Sequence, residues 1–316
     1  MIRVQDLKKY FGPKKAVDGV SFTVEKGEVL GFLGPNGAGK STTMRMITGF
    51  IPPTEGQVAI GDFDVVEHPL EAKRLIGYLP ESAAAYSDMS VRGFLEFIAA
   101  LRGLRGEGKK RAVDRAIEMC FLGSVAQQSV ETLSKGYKHR TCFAQSILHD
   151  PDVLIMDEPT EGLDPNQKHE MRTLIRRMGE RKAIIFSTHI LEEVEAVCSR
   201  VIIIDRGRIV ANGTPAELKQ RASGAGAVRV SFASGDGAIA QRLRQAEMVG
   251  DVRTVSESPL TLRVFPRDKS GTRDLARTIG DLAVRERWQI EELHTEEGRL
   301  DDVFRSITLP DTRAVT

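Results

Sequence analysis

Nothing in the 316 residues approaches the ~18 consecutive apolar side chains that carry a helix across a bilayer, so the sequence offers no membrane span. The N-terminus, MIRVQDLKKYF, lacks the apolar core of a secretion signal, and the chain is expected to be made and kept in the cytoplasm. Cysteine is scarce. Cys120, Cys142 and Cys198 are related by no metal-ligand spacing, so reduced, partly buried thiols are expected rather than a disulfide scaffold or a cysteine metal site. Charge of one sign is missing as well. The 45 Lys and Arg against 44 Asp and Glu leave a formal +1, which gives no support for a polyanion-binding surface.

Against these absences stands one dense stretch, Gly34-Pro35-Asn36-Gly37-Ala38-Gly39-Lys40-Ser41-Thr42, which fits G-x-x-x-x-G-K-[ST]. The apolar run Val29 to Leu33 precedes it as a buried strand, and a helical pattern through Met44 and Ile47 follows. Without side chains at Gly34, Gly37 and Gly39, the backbone can wrap a phosphate with its N–H groups turned inward. The helix that starts near Lys40 adds the positive end of its dipole. Lys40 is placed to reach β- and γ-phosphates, and the Ser41 hydroxyl to bind Mg²⁺.

The length predicts two domains. Ile2 to Val4 and Val20 to Val24 alternate as strands, with Tyr10 between them and Val17 beside it. Tyr10 has two readings, stacking on a nucleotide base or packing as a strand-end aromatic. IPPTEG is a turn, QVAIGDFDV a hairpin-like excursion, and Ile76 to Leu79 another strand. Ser90 is a candidate N-cap for a helix that carries Phe94, Phe97, Ile98 and Leu101 on one face. The run RGLRGEGKKR reads as a solvated loop between helices, with lipid headgroups or a partner as the other possibility. Val153 to Met156 is wholly apolar, as a central parallel strand should be, and ends in Asp157 and Glu158. That edge is where α/β sheets bind ligands, so Asp157 is placed to hold Mg²⁺ and Glu158 to polarise a water. Ala183 to Ser187 is a further buried strand, followed by Thr188 and His189. Val201 to Asp205 and Arg208 to Ala211 form a hairpin.

After a linker over 217–227 the pattern changes. Val228 to Phe232, Ala238 to Ala246, Val249 to Val255, Leu260 to Phe265, Thr272 to Arg285 and Trp288 to Leu293 give a βαββαβ order, predicting a small ferredoxin-like sandwich. Leu300, Val303, Phe304 and Ile307 follow on an amphipathic helix that must dock on something.

These motifs together resemble the ATP-binding cassette (ABC) family. LSKGY at 133–137 resembles the LSGGQ signature, VLIMDE at 153–158 the Walker B strand, EGLD at 161–164 the D-loop and His189 the switch histidine. Tyr10 fits the adenine-stacking A-loop. GYLPE, LSKGY, DEPTEGLDPNQ and RLDDVFRSIT resemble the ABC-2 export branch, including the gliding-motility-type ATPases. The resemblance implies an α/β P-loop NTPase cassette over 1–220, with a mixed sheet core and a helical subdomain over about 83–147, plus the C-terminal α+β domain over 227–316. It implies ATP and Mg²⁺ as cofactors, and a homodimer or paired cassette that sandwiches ATP head to tail. The nucleotide would meet Tyr10, Val17 and Gly34 to Thr42 of one chain, and Ser134, Gly136 and Asp164 of the other. Ser41, Asp157 and Glu81 would hold the metal; Glu158, His189, Lys40 and Glu81 would carry catalysis. A separate ABC-2-type permease would place the chain on the inner face of the membrane.

Three positions depart from the family: Lys135 replaces a signature glycine, Tyr137 its final Gln, and Glu81 the Q-loop Gln. Glu81 would set a third carboxylate beside Asp157 and Glu158. A soluble ABC ATPase acting on ribosomes or nucleic acid is the rival reading. One cassette, no sustained heptads, and the scattered placement of Phe232, Phe265 and Trp288 argue against it and against an RNA-binding C-terminal domain.

Overall fold

The computed structural model describes residues 1–82, 85–222, 224–235, 237–268 and 272–308. The chain divides into two compact units, Met1–Pro215 and Ala216–Thr316. Residues 83 and 84, where the helical subdomain was expected to start, and 309–316, at the expected end of the C-terminal domain, lie outside the described residues.

The first unit opens with β1 (Ile2–Phe11), β2 (Lys14–Val24) and β3 (Val29–Leu33), followed by α1 (Lys40–Ile47). The excursion after α1 is β4 (Glu55–Ile60) and β5 (Phe63–Asp64), then α2 (Pro69–Leu75) and β6 (Ile76–Leu79). Three helices follow, α3 (Val91–Leu101), α4 (Gly106–Met119) and α5 (Lys135–Ile147). The chain then alternates through β7 (Val153–Asp157), α6 (Pro165–Gly179), β8 (Ala183–Thr188) and α7 (Leu191–Val197). The hairpin β9 (Arg200–Asp205) and β10 (Arg208–Gly213) closes the first unit, and the short α8 (Pro215–Gln220) starts at its last residue and lies otherwise in the second.

Two sheets result. One is four-stranded in the order β2-β1-β4-β5, the other six-stranded in the order β10-β9-β3-β8-β7-β6. In the six-stranded sheet β9, β3, β8, β7 and β6 run parallel, and β10 closes the edge antiparallel. Alternation explains why the bodies of its inner strands β3, β7 and β8 are apolar on both faces. Val153 and Ile155 of β7 enter a core shared with β1, β2 and α1, whereas Leu154 and Met156 enter the core under α3, α4 and α5. Ile185 and Ile184 of β8 divide the same way. Truncating such a side chain, as in Leu154→Ala, costs about 2–5 kcal/mol.

Two helical expectations need correction. Ser90 does cap α3, accepting from Gly93 N at 3.1 Å, but the buried face is Val91, Phe94, Leu95 and Ala99. Phe97 and Leu101 are exposed, Leu101 at 68%. The apolar residues at i, i+3, i+4, i+7 exceed what the core takes up. The basic, glycine-rich run is a loop only as far as Arg105; α4 then starts at Gly106 and runs through Gly108. Ala112, Val113, Ala116 and Ile117 bury one stripe of α4, and that packing outweighs the ~1 kcal/mol that each helical glycine costs.

The second unit contains β11 (Val228–Phe232), α9 (Gly237–Arg244), β12 (Val249–Glu257), β13 (Leu260–Pro266), α10 (Thr272–Glu286), β14 (Ile290–Thr295) and α11 (Leu300–Thr308). Its antiparallel sheet has the order β12-β13-β11-β14, in which the first strand lies between the third and the fourth. This is the ferredoxin-like arrangement. Val228, Val230 and Phe232 pack with Leu275 and Ile279 in a core of its own. Trp288 falls just before β14 and meets Phe232 edge-on at 5.8 Å, so both aromatics are packing residues. In α11 Leu300 and Val303 are buried, while Phe304 and Ile307 are half-buried.

Candidate nucleotide site

Parallel register brings the chemistry to one edge. Leu33 at the end of β3 pairs with Thr188, and Ser187 pairs with Asp157. The turns after β3, β7 and β8 therefore leave the sheet side by side, carrying Gly34 to Gly39, Glu158 and His189.

The loop after β3 needs its glycines. Gly37 and Gly39 hold φ of 80° and 108°, which disfavour any side chain. A Cβ on Gly39 would stand 2.5 Å from the Ala16 carbonyl. Gly39 is the N-cap of α1, and no side chain caps the helix. The first N–H groups of α1, with no side-chain cap, thus remain for an anion. Lys40 is buried, and its Nζ donates to the Gly34 carbonyl at 2.7 Å and the Pro35 carbonyl at 3.2 Å. Burial pushes the Lys40 pKa down, against the opposing fields of Glu158, Asp157 and Glu81. A cation held on carbonyls in a cradle of free N–H groups fits a polyphosphate.

Asp157 is 1% exposed and accepts from the Ser187 hydroxyl. Glu158 sits at φ 51°, a left-handed conformation rare outside glycine, and its N–H donates to the Ser187 carbonyl at 3.1 Å. That twist turns its side chain out from the strand line, and Oε1 comes within 3.0 Å of His189 Nδ1. Burial pushes the Glu158 pKa up, offset in part by His189 and Lys40. The His189 ring is half exposed, so one face of this pair is open to solvent.

Other expected residues stand apart. Among the described residues no three His, Cys, Asp or Glu side chains gather as a metal-holding group. Glu81 therefore does not complete a three-carboxylate cluster with Asp157 and Glu158; it is exposed, and only its field reaches Lys40. Ser41 and Asp157 alone make a sparse donor set, which suits an ion that takes its remaining oxygens from phosphate and water. Val17 is 0% exposed in the core, so its side chain lies behind any surface a base would meet. Tyr10 is half-buried, its hydroxyl 3.4 Å from Asp18 Oδ1 and Lys15 Nζ 5.5 Å above its ring. Ser134 is the N-cap of α5, Gly136 packs where a Cβ would strike Gln167 Oε1 at 2.6 Å, and Asp164 caps α6 by accepting from Gln167 N at 2.9 Å. None of these hydrogen bonds joins the phosphate loop of the same chain.

Several site residues carry no local sequence signal. Gly207 N donates to the Ala38 carbonyl at 2.8 Å and Asp18 N to the Gly207 carbonyl at 2.9 Å, so the β9–β10 turn braces the loop. Arg208 fixes Asp18 at 2.6 Å and, through it, Tyr10. Glu193, 1% exposed, accepts from Thr160 and from Thr188 Oγ1 at 2.8 Å, joining the turns after β7 and β8.

Residues 17–161 match the family described as ABC transporter. The chain is 36% identical over 266 residues to the linearmycin resistance ATP-binding protein LnrL of Bacillus subtilis (strain 168), covering 84% of this chain and 85% of that protein. It is 35% identical over 269 residues to the Nod factor export ATP-binding protein I of Ralstonia nicotianae (strain ATCC BAA-1114 / GMI1000), covering 85% of this chain and 82% of the other. A solved structure of an ATP binding subunit of an ABC transporter superposes with a TM-score of 0.65 at 28% identity, over 70% of this chain and 92% of its own.

Proposed function

The chain belongs to the ABC transporter ATP-binding proteins and is an ATPase, and from that premise we propose that it powers an exporter of the ABC-2 type, in the branch that includes the gliding-motility ATPases. Its relatives named for linearmycin resistance and Nod factor export support an export role. The observation that carries the reading is the Glu158–His189 pair at 3.0 Å beside Lys40 and the uncapped N-terminus of α1.

On this reading two copies pack head to tail, and the phosphate loop of one closes on the α5 N-terminus of the other. Tyr10 stacks on the adenine. Lys40 leaves the Gly34 and Pro35 carbonyls for β- and γ-phosphate oxygens, while the loop N–H groups take the rest. Ser41 and Asp157 would hold Mg²⁺, which when bound would supply charge stabilisation to the phosphate oxygens. Glu158 orients or deprotonates the attacking water, and its raised pKa suits a base. His189 steadies Glu158 through Nδ1 and leaves Nε2 for the γ-phosphate. Because the transition state is loose and anionic, positioning and charge account for most of the rate.

The permease that receives the stroke docks on the face beside the helical region. A groove of about 630 Å³ lined by Arg45, Phe50, Tyr78, Pro80, Ser82 and Arg102 opens there. Phe50, in its lining, is 70% exposed. Docking of this kind places the chain on the inner face of the membrane, and Glu81, between Pro80 and Ser82, becomes a contact in the linkage rather than a metal ligand.

Glu158→Gln tests the site. The expected result is an ATP-bound dimer on size-exclusion chromatography with Mg-ATP, and turnover lower by about 10²–10⁴-fold, the usual contribution of a positioned acid–base group. A variant that stays monomeric and hydrolyses ATP at the wild-type rate would remove Glu158 from the mechanism.

A further inference from the structure

The side chain that departs most from a glycine-type signature turn is Lys135, and it is not loose. It is the first residue of α5, directly after the N-cap Ser134. Its stem crosses Gly162, where a Cβ would stand 2.7 Å from Lys135 Cε, 2.8 Å from Cδ and 3.0 Å from Nζ. The ammonium ends 3.3 Å from Glu161 Oε1. Gly162 itself has a φ of 73°, so glycine is demanded there by backbone and by space together. Among the described residues, the Glu161 carboxylate makes no other ion pair or hydrogen bond.

This resting place is weak. Lys135 and Glu161 are 71% and 46% exposed, where ion pairs hold loosely. The ammonium also sits at the positive end of the α5 dipole, which opposes a cation. A phosphate arriving at the same helix end reverses both terms. It satisfies the first N–H groups of α5, and its oxygens are stronger partners for an ammonium than a single solvated carboxylate. Glu161 has somewhere else to act: His139, one turn along α5, is buried with both ring nitrogens unpartnered, and Glu161 is the group that favours its charged form. Glu161 also belongs to the turn of the chain's own base, since its N–H donates to the Glu158 carbonyl at 3.1 Å.

We propose that Lys135 is a phosphate ligand acting in trans and held in reserve by Glu161. In the open cassette the ammonium is parked on Glu161; on closure it passes to the γ-phosphate of the nucleotide held by the other copy. The inference rests on the head-to-tail reading above. It makes Glu161 a competitor of the nucleotide, so removal of either partner of one ion pair has opposite consequences.

The test uses the full chain carrying Glu158→Gln, which stops turnover, and measures the ATP concentration that gives half-maximal dimer. Added Glu161→Gln frees Lys135 and lowers that concentration about threefold, and Lys135→Gln raises it about threefold, the scale of one exposed charge pair. The double variant follows Lys135→Gln, and Lys135→Arg stays within about twofold of the parent. Affinity for ADP, which has no γ-phosphate, is the same in all of them. Shifts in the same direction for both single variants, or equal shifts with ADP, show a merely structural tie and overturn the proposal, as does no shift at all. A Glu158→Gln parent that forms no ATP-dependent dimer overturns the head-to-tail reading itself, so the two failures are told apart.

Discussion

Glu193 is a carboxylate at 1% exposure, and a bare charge there would be strongly destabilising. Two hydroxyls answer it, from Thr160 and Thr188, and Lys168 Nζ and Arg172 Nη2 stand 3.9 and 3.7 Å away. Thr188 Oγ1 in turn accepts from Ile190 N at 3.1 Å, so Glu193 sets the turn that carries His189. Glu193→Ala should destabilise the chain by about 3–5 kcal/mol, the scale of a broken buried charge network. Activity should fall through kcat with ATP affinity nearly unchanged, because the cradle around Lys40 is separate. Thermal melts with a nucleotide titration check both; wild-type turnover in a folded Glu193→Ala protein would detach the network from the switch turn. The sequence does not single this residue out. LEEVE offers Glu192, Glu193 and Glu195, and only the fold shows which faces Thr160. Lys40, Asp157, Glu158 and His189 are legible because each stands at the end of a strand or glycine loop beside it in sequence. Ser187, Gly207 and Asp18 act on partners far along the chain. Glu81 is the reverse case: it is exposed, and nearness in the motif does not gather its carboxylate with Asp157 and Glu158 among the described residues.

At the scale of elements, strands were easier to read than helix faces. A strand buried on both faces must be apolar along its body, as β7 is over residues 153–156 and β8 over residues 183–186, whereas α3 and α4 depend on which stripe the neighbours cover. The seam between α5 and β6 shows how such packing can be probed. His149, just past the end of α5, donates from Nε2 to the Ile76 carbonyl at 3.1 Å. Burial, with Arg102 and Lys182 adding, lowers its pKa from 6.5 to about 4. Asp150 opposes them weakly. Above pH 6.5 the ring is neutral folded and unfolded, and the seam has its full stability. As pH falls from there to about 4 the unfolded ring takes a proton and the folded one does not, so stability is lost across that window. The loss is about 2 kcal/mol at most once solvent at a partly exposed ring is allowed for. His139 adds in the same sense, its pKa also lowered by burial. His149→Gln keeps a donor for Ile76 and removes the titration. Its melting temperature should therefore gain on wild type as pH drops from 7.5 towards 4.5, and a gap independent of pH would mean that His149 is solvated in the folded chain.

For the whole molecule, the division into Met1–Pro215 and Ala216–Thr316 has an energetic counterpart. The two large cores on either side of the six-stranded sheet draw only on residues before Val228, and the third draws only on residues from Val228 onward. Among the described residues, no strand of one unit extends a sheet of the other. A unit of some 215 residues buries enough apolar surface to fold alone, whereas one of about 100 with a four-stranded sheet and the helices α9, α10 and α11 is nearer the lower limit. All the residues that converge on the nucleotide site, from Tyr10 to Gly207, lie in the first unit. A chain ending at Pro215 is therefore expected to be soluble, to melt in one cooperative transition and to bind ATP within about twofold of the full chain, since no ligand contact is removed. Export through the permease would be the activity that suffers if the second unit serves assembly or control. Isothermal titration with ATP and a calorimetric scan of the two chains are the measurements. A truncated chain that precipitates, or that binds no nucleotide although it remains folded, would show that the second unit completes the first, and the separate cores would then have to be regarded as halves of a single cooperative fold.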